Sequence, residues 1–464
     1  MAMGRRKTVK QESMWIETAR LARRSGHVFY ECLNRLLAEH DFDPFVETLC
    51  HPFYAETMGR PGLAPGIYFR LLLIGYFEGI DSERGIAWRA ADSLALQSFL
   101  GLSLEQDKAD HSTLSRTRRL IGLEAHQAFF NFVLRILAGK DLLKGLVVGV
   151  DATHLEANAA LRSIVRRDSG EKYEDFLRRL AQESGIETPT REEMAKLDRK
   201  RPKKGSNQDW AHPHDPDARI AKMKDGSTHL AHKAEHAVDL ETGAVLAVTI
   251  QAADAGDVAT GVETLMEAAE NVIEVAVATN NETVGERVSL EGPKEVVADK
   301  GYHSNAMLVA LGVIAVRSYI SEPHRGRRCW RDKAKARRAV YGNRRRIRGR
   351  HGRALMRRRS ELVERSFAHV YETGRMRRVW LRGRQNILKR VLIQNAGLNL
   401  GLVMRQLIGK GTPRGFQGRM VASRAANEMR VEMQVWLFVI PRLNLMNLID
   451  QNDSVSDWPV ALAA

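Results

Sequence analysis

The sequence predicts a chain of the α+β or α/β class, in which an all-α region precedes a mixed α/β layer and a helical region follows it. Apolar residues recur every three or four positions up to about residue 138, and uncharged β-rich runs begin after residue 145. Helical spacing returns between Gln385 and Ile408. We therefore place domain boundaries at 1–140, 141–384 and 385–464.

The composition limits the class of protein. A length of 464 residues, with 44% hydrophobic and 28% charged residues, suffices for two or three domains and excludes a wholly disordered chain. Cys32, Cys50 and Cys329 form no CxxC pair, so neither a disulfide framework nor a thiolate zinc site is indicated. No apolar segment approaches the length that spans a bilayer, and the N-terminus has no apolar signal core. We expect a soluble cytoplasmic protein.

The all-α region contains a segment with the pattern of a helix-turn-helix. Residues 81–101 predict two short helices, and a third begins with a cap at Asp110 or Ser112. That third helix would expose Arg116, Arg118 and Arg119 to DNA. A basic solvent face on an ordinary bundle helix explains the pattern equally well, so both interpretations stay open.

The α/β layer begins with residues 146–150, an uncharged run that predicts a buried strand ending at Asp151. The charged stretch 160–226 predicts an insertion with some helix near residues 173–181. The elements predicted after it are a hairpin with its turn at 239–243, a helix at 258–275, a strand at 294–298, a helix at 304–311, a strand in VIAVRSYI and a helix from about residue 360.

The net charge of +16 is concentrated in one basic segment, residues 324–360. It holds 17 Arg or Lys and the single acid Asp332, so the rest of the chain is neutral. Arginine predominates, which suits bidentate phosphate contacts, and Trp330 and Tyr341 could add stacking. RNA, anionic lipid or a nuclear import receptor could use the same segment, so its charge indicates a polyanionic partner and nothing finer.

Three acids stand where an α/β sheet would bring them together. Asp151 follows the first strand, Asp299 follows the strand at 294–298, and Glu364 lies on the helix after the basic segment. Ligands bind at the carboxyl ends of strands in open α/β sheets. Clustered carboxylates need a hard cation, and two Mg²⁺ ions about 3.5–4 Å apart can catalyse in-line attack on a phosphodiester. The pattern predicts a metal-dependent nuclease site, whereas each acid alone has an ordinary structural explanation.

Glu364 borders the apolar stripe of its predicted helix. The stripe is formed by Leu355, Leu362, Val363, Phe367 and Val370, with Arg357, Arg358, Arg359 and Arg365 on the rest of the circumference. Glu361, three residues earlier, is a rival ligand that periodicity does not exclude.

A competing metal motif is His232-Lys-Ala-Glu235-His236, the inverted zinc-protease pattern. On a helix the two histidines would bind zinc and Glu235 would act as the general base. The β-rich flanks favour a strand, on which His232 and His236 lie too far apart to chelate one ion. We rank a zinc metallopeptidase third among the candidate functions.

The sequence resembles bacterial insertion-sequence transposases of the IS5/IS1182-like group, within the broad DDE superfamily. The resemblance covers nearly the whole chain, and its blocks occur in family order. They are HPFYAETMGRPGLAPGIYFRLLLIGYFEGIDSERGIAWRAADSLALQSFLGL, DHSTLSRTRRLI, VDATHLEANAA, SNQDWAHPHDPDARIAKMKDGSTHLAHKAEHAVDLETGAV, VADKGYHSN, RSYISEPHRGRRCW, NRRRIRG and ELVERSFAHVYETGRMRRVWLRGRQNILKR.

The resemblance implies an RNase H-like catalytic domain in which Asp151, Asp299 and Glu364 form the catalytic triad and bind two Mg²⁺ or Mn²⁺ ions. It also implies a helical N-terminal domain that binds DNA ends, and it places the His232 string in a core hairpin. Glu156, Lys300 and Tyr302 match family blocks near the acids and are candidates for supporting residues.

One departure from the family concerns a DNA contact. Many relatives carry Lys seven residues beyond the catalytic Glu, and here that position is Tyr371. The phosphate contact would then fall to Arg375, Arg377 or Arg378. The candidate DNA contacts in the basic segment are Arg325, Arg327, Arg328, Arg344, Arg345 and Arg346.

The function implied is a DNA transposase that binds the terminal inverted repeats of its element, hydrolyses phosphodiester bonds and transfers strands to target DNA. Its partners would be double-stranded DNA at the nucleoid and a second copy of the chain, with no membrane. A catalytically silent relative that binds DNA and acts as a repressor is the alternative.

Overall fold

The computed structural model describes residues 27–55, 62–103, 108–201, 205–223, 225–279, 288–326 and 328–416. The chain divides into two compact units, Met1–Thr412 and Pro413–Ala464. The second unit is described only at Pro413–Phe416, a 3₁₀ helix. The prediction for Arg327 and those for residues 417–464 lie outside the described residues.

The N-terminal part of the larger unit is helical, as predicted. Its helices are α1 (Val28–Glu39), α2 (Phe42–Cys50), α3 (Pro65–Glu78), α4 (Glu83–Asp92), α5 (Leu94–Leu100), α6 (His111–Leu120) and α7 (Leu123–Gly139). Aromatic rings fill its core, where Phe69 stacks on Phe129 at a centroid distance of 4.8 Å. The predicted cap is confirmed, because the Asp110 side chain accepts a hydrogen bond from the Ser112 amide at the start of α6.

A mixed sheet follows, and its topology positions the candidate site. The strands are β1 (Val147–Glu156), β2 (Val165–Arg166), β3 (Trp210–Ala211), β4 (Arg219–Lys222), β5 (Thr228–Asp239), β6 (Val245–Ala252), β7 (Glu295–Ala298) and β8 (Arg317–Ile320). The main sheet has the order β4-β5-β1-β7-β8, with β6 also paired to β5. β1–β7 and β7–β8 are parallel pairs, and the pairs that involve β5 are antiparallel.

β1 and the strands inside the charged insertion, β2 to β4, differ from the sequence prediction. β1 continues beyond Asp151 to Glu156, because β5 still pairs with it there. The charged insertion predicted at 160–226 does hold two helices, α8 (Tyr173–Glu183) and α9 (Arg191–Lys200), but β4 inside it joins the main sheet. β4 was missed because its four residues, RIAK, have too few apolar side chains to predict a strand.

Helices cover both faces of the sheet. α10 (Asp257–Ala278) packs against β5 and β6, and α13 (Arg350–Ala368) packs against β1, β5 and β7. Successive residues of β5 show that these faces are opposite. Glu235 bonds Thr264 of α10, whereas His236 bonds Ser366 of α13.

The basic segment is largely helical, which the sequence analysis did not predict. The helix α11 (Asn305–Val313) precedes the basic segment. The segment itself contains α12 (Ala334–Arg348) and the start of α13. The fully buried Asn343 side chain fixes α12 to the sheet, because it bonds both the amide and the carbonyl of Ile320, at 3.0 and 2.8 Å.

The last described α-helix, α14 (Arg384–Ile408), packs against α3, α7 and β6. Lys389 donates to the Ile121 carbonyl at 2.7 Å, and Asn399 bonds both backbone groups of Val245. Among the described helices none alone could cross a membrane by length and hydropathy; α6 and α7 pass that test only as a pair bent by 95°.

Candidate active site

The sheet register brings Asp151 and Asp299 side by side. In the parallel pair β1–β7, Val150 is the partner of Ala298, and each is followed directly by one of the two acids. Parallel neighbours point to the same side of a sheet, so Asp151 and Asp299 occupy neighbouring backbone positions at the level where β7 ends, while β1 continues beyond Asp151. The predicted juxtaposition of these two residues rests on this register.

Asp299 is held by its own turn. It caps the 3₁₀ helix Lys300–Tyr302, and its Oδ1 accepts a hydrogen bond from the Gly301 amide at 2.7 Å. The second oxygen is not used by this cap. The carboxylate is therefore oriented by the backbone before any ligand binds.

Asp151 forms an ion pair with Arg359 of α13. Arg359 Nη2 lies 2.7 Å from Asp151 Oδ2, and the side chains are 8% and 25% exposed. Arg359 Nε also lies 3.3 Å from the Val150 carbonyl. The prediction that Arg359 lies on the charged outer surface of its helix is wrong. The aliphatic part of the Arg359 side chain packs on Gly149, where a β-carbon would come 3.2 Å from Arg359 Cγ. Because Gly149 has no side chain, there is room for Arg359 between α13 and the sheet.

Glu364 lies exposed on α13 at one border of the buried stripe. The other border is marked by Arg358, which donates to the Glu241 carbonyl at 2.7 Å. Glu241 lies in the turn between β5 and β6, beside the amino-terminal end of β1. Helical spacing puts Glu364 on the side of α13 away from Arg358 and next to the position of Phe367.

Phe367, one helical turn after Glu364, lies at the border of the buried stripe of α13 that is away from Arg358. Its ring stacks on His236 at a centroid distance of 4.3 Å, and His236 is the backbone partner of Asp151. Burial lowers the pKa of His236 to about 3, so its ring is neutral there. Phe367 therefore packs on the strand residue that pairs with Asp151.

The three acids do not form a closed ligand cluster in this conformation. Among the described residues, no group of three His, Cys, Asp or Glu side chains could hold a metal ion. The donor set nevertheless suits a hard divalent cation, because Asp151 and Asp299 offer neighbouring carboxylates at an accessible edge. If these acids bind one ion, Asp151 would exchange its pair with Arg359 for the ion, and Glu364 would have to move toward the two aspartates.

The His232 string does not form a zinc site. All of it lies on β5, where His232 Nε2 contacts Asp215 Oδ2 at 3.2 Å and His236 Nδ1 lies 2.9 Å from Ser366 Oγ. Glu235 points to the opposite face of the sheet. These three side chains have separate partners, so the arrangement gives no support to a peptidase.

Tyr371 is hydrogen bonded within the protein. Its hydroxyl donates to the His154 carbonyl at 2.8 Å and is hydrogen bonded to Thr153 Oγ1 at 2.9 Å. Burial raises the pKa of Tyr371 to about 12, so the hydroxyl stays protonated. The residue lies in the π-helical turn His369–Thr373 that follows α13, and it connects this turn to the last part of β1. Glu156, at the end of that strand, lies 3.7 Å from both His229 and Arg378.

The candidate DNA contacts differ in their availability. Arg116, Arg119, Arg345, Arg375, Arg377 and Arg378 are exposed. Arg328 and Arg344 both pair with Glu322, and Arg346 donates to the Ser318 carbonyl, so these three are partly engaged within the protein. Arg325 is exposed although it donates to the His303 carbonyl.

Arg118 was predicted to be exposed, and this prediction is wrong. It forms an ion pair with Glu83 of α4, and its side chain is 11% exposed. α4 and α6 therefore bond to each other through the arginine. Of the three arginines of α6 predicted to contact DNA, Arg116 and Arg119 are therefore the ones exposed to solvent.

A basic aromatic cleft of about 450 Å³ lies on α12. Trp330 and Tyr341 line it with ring centroids 6.2 Å apart, and Arg328 stacks over Trp330 at 4.3 Å. Exposed Arg337, Arg338 and Arg345 complete its rim. The two aromatic residues of the basic segment, Trp330 and Tyr341, thus lie next to its arginines in the structure.

Comparison with known families identifies the two parts of the chain. A family model described as a transposase DDE domain matches residues 150–400, more than half of the chain. A second model, described as a transposase domain (DUF772), matches residues 20–120. No curated protein and no solved structure gives a match.

Proposed function

The chain belongs to the family of insertion-sequence transposases with a DDE domain, and we propose that it binds the terminal inverted repeats of its element, cleaves DNA and joins the freed ends to target DNA. The order β6-β5-β1-β7-β8, with β5 antiparallel to its neighbours and the other pairs parallel, supports an RNase H-like assignment for residues 141–384. The adjacent positions of Asp151 and Asp299 carry the proposal.

Asp151, Asp299 and Glu364 would hold Mg²⁺ or Mn²⁺. Two such ions supply an activated water or 3′-hydroxyl and stabilise the leaving oxygen of an in-line displacement. Asp299 enters the site with its orientation fixed by the Gly301 amide. Arg359 neutralises Asp151 while no cation is bound, which reduces repulsion between the two neighbouring carboxylates.

The exposed arginines of α6 and α12 would hold the DNA backbone. Arg116 and Arg119 lie in the region matched by the transposase domain (DUF772), which suits the binding of DNA ends. Synapsis of two ends would require two copies of the chain. Such contacts make affinity fall steeply with salt.

The test is metal-dependent nicking of DNA that carries the element ends. We expect Asp151→Asn and Glu364→Gln to abolish nicking and keep DNA binding. Glu361→Gln is the matched control, because Glu361 is exposed on the same helix and pairs only locally with Arg365. Undiminished nicking in both active-site variants would refute the proposed mechanism. Salt-dependent binding without cleavage by the wild type would favour a repressor.

A further inference from the structure

A buried polar network lies under the Asp299 turn, on the face of the sheet opposite α13. Its centre is Lys233 of β5, which is 3% exposed. The Lys233 ammonium lies 2.6 Å from Asp257 Oδ1, 3.0 Å from Glu235 Oε1 and 2.9 Å from Thr260 Oγ1. A buried charge of this kind is costly unless it is paired, and here one ammonium serves two carboxylates.

Asp257 supports the turn from one side. It is the first residue of α10, and its second oxygen lies against Gly301. A β-carbon added to Gly301 would come within 2.1 Å of Asp257 Oδ2 and 3.0 Å of Asp299 Oδ1. The absence of a side chain at Gly301 therefore allows Asp257 to pack directly on the residue whose amide orients Asp299.

Glu235 supports the turn from below through Tyr302. The Tyr302 hydroxyl donates to Glu235 Oε1 at 3.2 Å, and Thr264 donates to Oε2 at 2.7 Å. The Tyr302 ring packs on Gly261, where an added β-carbon would come within 2.6 Å of the ring. Burial first, and then the charge of Glu235, raises the pKa of Tyr302, so the hydroxyl remains a donor.

We propose that Lys233, Glu235 and Tyr302 are positioning residues that hold the Asp299 carboxylate in its ligand orientation. Both supports of the turn depend on Lys233, since it fixes Asp257 on one side and Glu235 on the other. None of the three touches the reacting atoms. The inference rests on the proposed function, because the orientation matters only if Asp299 binds a cation.

Hydrogen exchange of the cation-free protein tests the positioning. We expect Tyr302→Phe and Lys233→Met to speed exchange in the peptide 299–303 by about 10-fold, because the Gly301 amide loses its fixed acceptor. Tyr319→Phe is the matched control. Tyr319 is also a buried tyrosine that bonds a glutamate, but its partner Glu295 lies at the opposite end of β7.

Calorimetric titration with Ca²⁺ gives the second readout. Loss of a supporting residue typically weakens metal affinity 10–100-fold, so we expect about a 10-fold loss in Tyr302→Phe and none in Tyr319→Phe. The double variant Lys233→Met/Glu235→Gln removes one of the two carboxylates that Lys233→Met leaves unpaired, so it should recover part of the thermal stability without recovering affinity. Recovery of both would mean that the network only stabilises the fold.

The outcomes separate this inference from the proposed function. The inference would be overturned if Tyr302→Phe folds and shows the same hydrogen exchange in peptide 299–303 and the same Ca²⁺ affinity as Tyr319→Phe. If Lys233→Met does not fold, the measurements on Tyr302→Phe alone test the positioning. Equal Ca²⁺ binding by the wild type and Asp299→Asn would overturn the proposed metal site instead, and the exchange experiment would still test the positioning.

Discussion

Replacing Arg359 by Met tests the ion pair at the centre of the site. Methionine keeps most of the stem that packs on Gly149 but removes the cation 2.7 Å from Asp151. Removing one partner of a fully buried pair costs about 3–5 kcal/mol. Asp151 is 25% exposed and gains some hydration in the variant, so we expect a loss of about 2 kcal/mol in unfolding free energy.

The assay is chemical denaturation at low salt, with and without Ca²⁺. Arg365→Met is the control, because its pair with Glu361 is half-exposed on both sides and should contribute less than about 1 kcal/mol. Ca²⁺ should stabilise Arg359→Met more than the wild type, since the ion and the guanidinium compete for Asp151. Equal stability of Arg359→Met and Arg365→Met without Ca²⁺ would refute the reasoning.

Three further predictions concern stability. Gly149→Ala should destabilise by about 1–3 kcal/mol in urea denaturation, because the new methyl crowds Leu240 as well as Val363 and Arg359 of α13, whereas Gly139→Ala meets open space and should be close to neutral. Asn343→Leu should cost about 2–4 kcal/mol, because it leaves the amide and carbonyl of Ile320 without their partner; a neutral result would contradict this role. Burial lowers the pKa of His126 to about 3, so below pH 6.5 only the unfolded state takes up its proton, and stability falls by about 1.4 kcal/mol per pH unit from this group. His126→Phe should lack that part of the slope between pH 6.5 and 4.5, and an unchanged slope would contradict the assignment.

The adjacent backbone positions of the two aspartates could be predicted from the sequence because each follows directly on a short apolar run, residues 146–150 and 296–298. Such runs indicate buried parallel strands, and the carboxyl ends of parallel neighbours meet at one edge. The sequence did not reveal that β1 continues past Asp151, since that part of the strand depends on its antiparallel partner β5.

Arg359 could not be assigned from periodicity, because several neighbouring arginines occupy the same helix and only one points inward. Its placement depends on the missing side chain of Gly149, more than 200 residues earlier in the chain. The helical structure of the basic segment was missed for a similar reason. Its charges obscure the apolar spacing, and Asn343, a polar residue, makes the contact that fixes α12 to the sheet.

Lys233 and Glu235 were visible in the sequence only as members of the zinc-like string. Strand alternation separates Glu235 from His236, so the string divides between two faces of the sheet. The contribution of Asp257 and Gly301 to the Asp299 turn arises from long-range packing, which no local pattern carries.

The most direct test of the account is Mn²⁺ binding, measured by calorimetry on the wild type, Glu364→Gln and Glu361→Gln. If Glu364 completes a site with Asp151 and Asp299, its substitution should weaken Mn²⁺ binding by at least about 10-fold, as the loss of one carboxylate ligand requires, and Glu361→Gln should bind like the wild type. Wild-type affinity in Glu364→Gln, or loss of affinity in Glu361→Gln alone, would contradict the assignment of these three acids to one metal site.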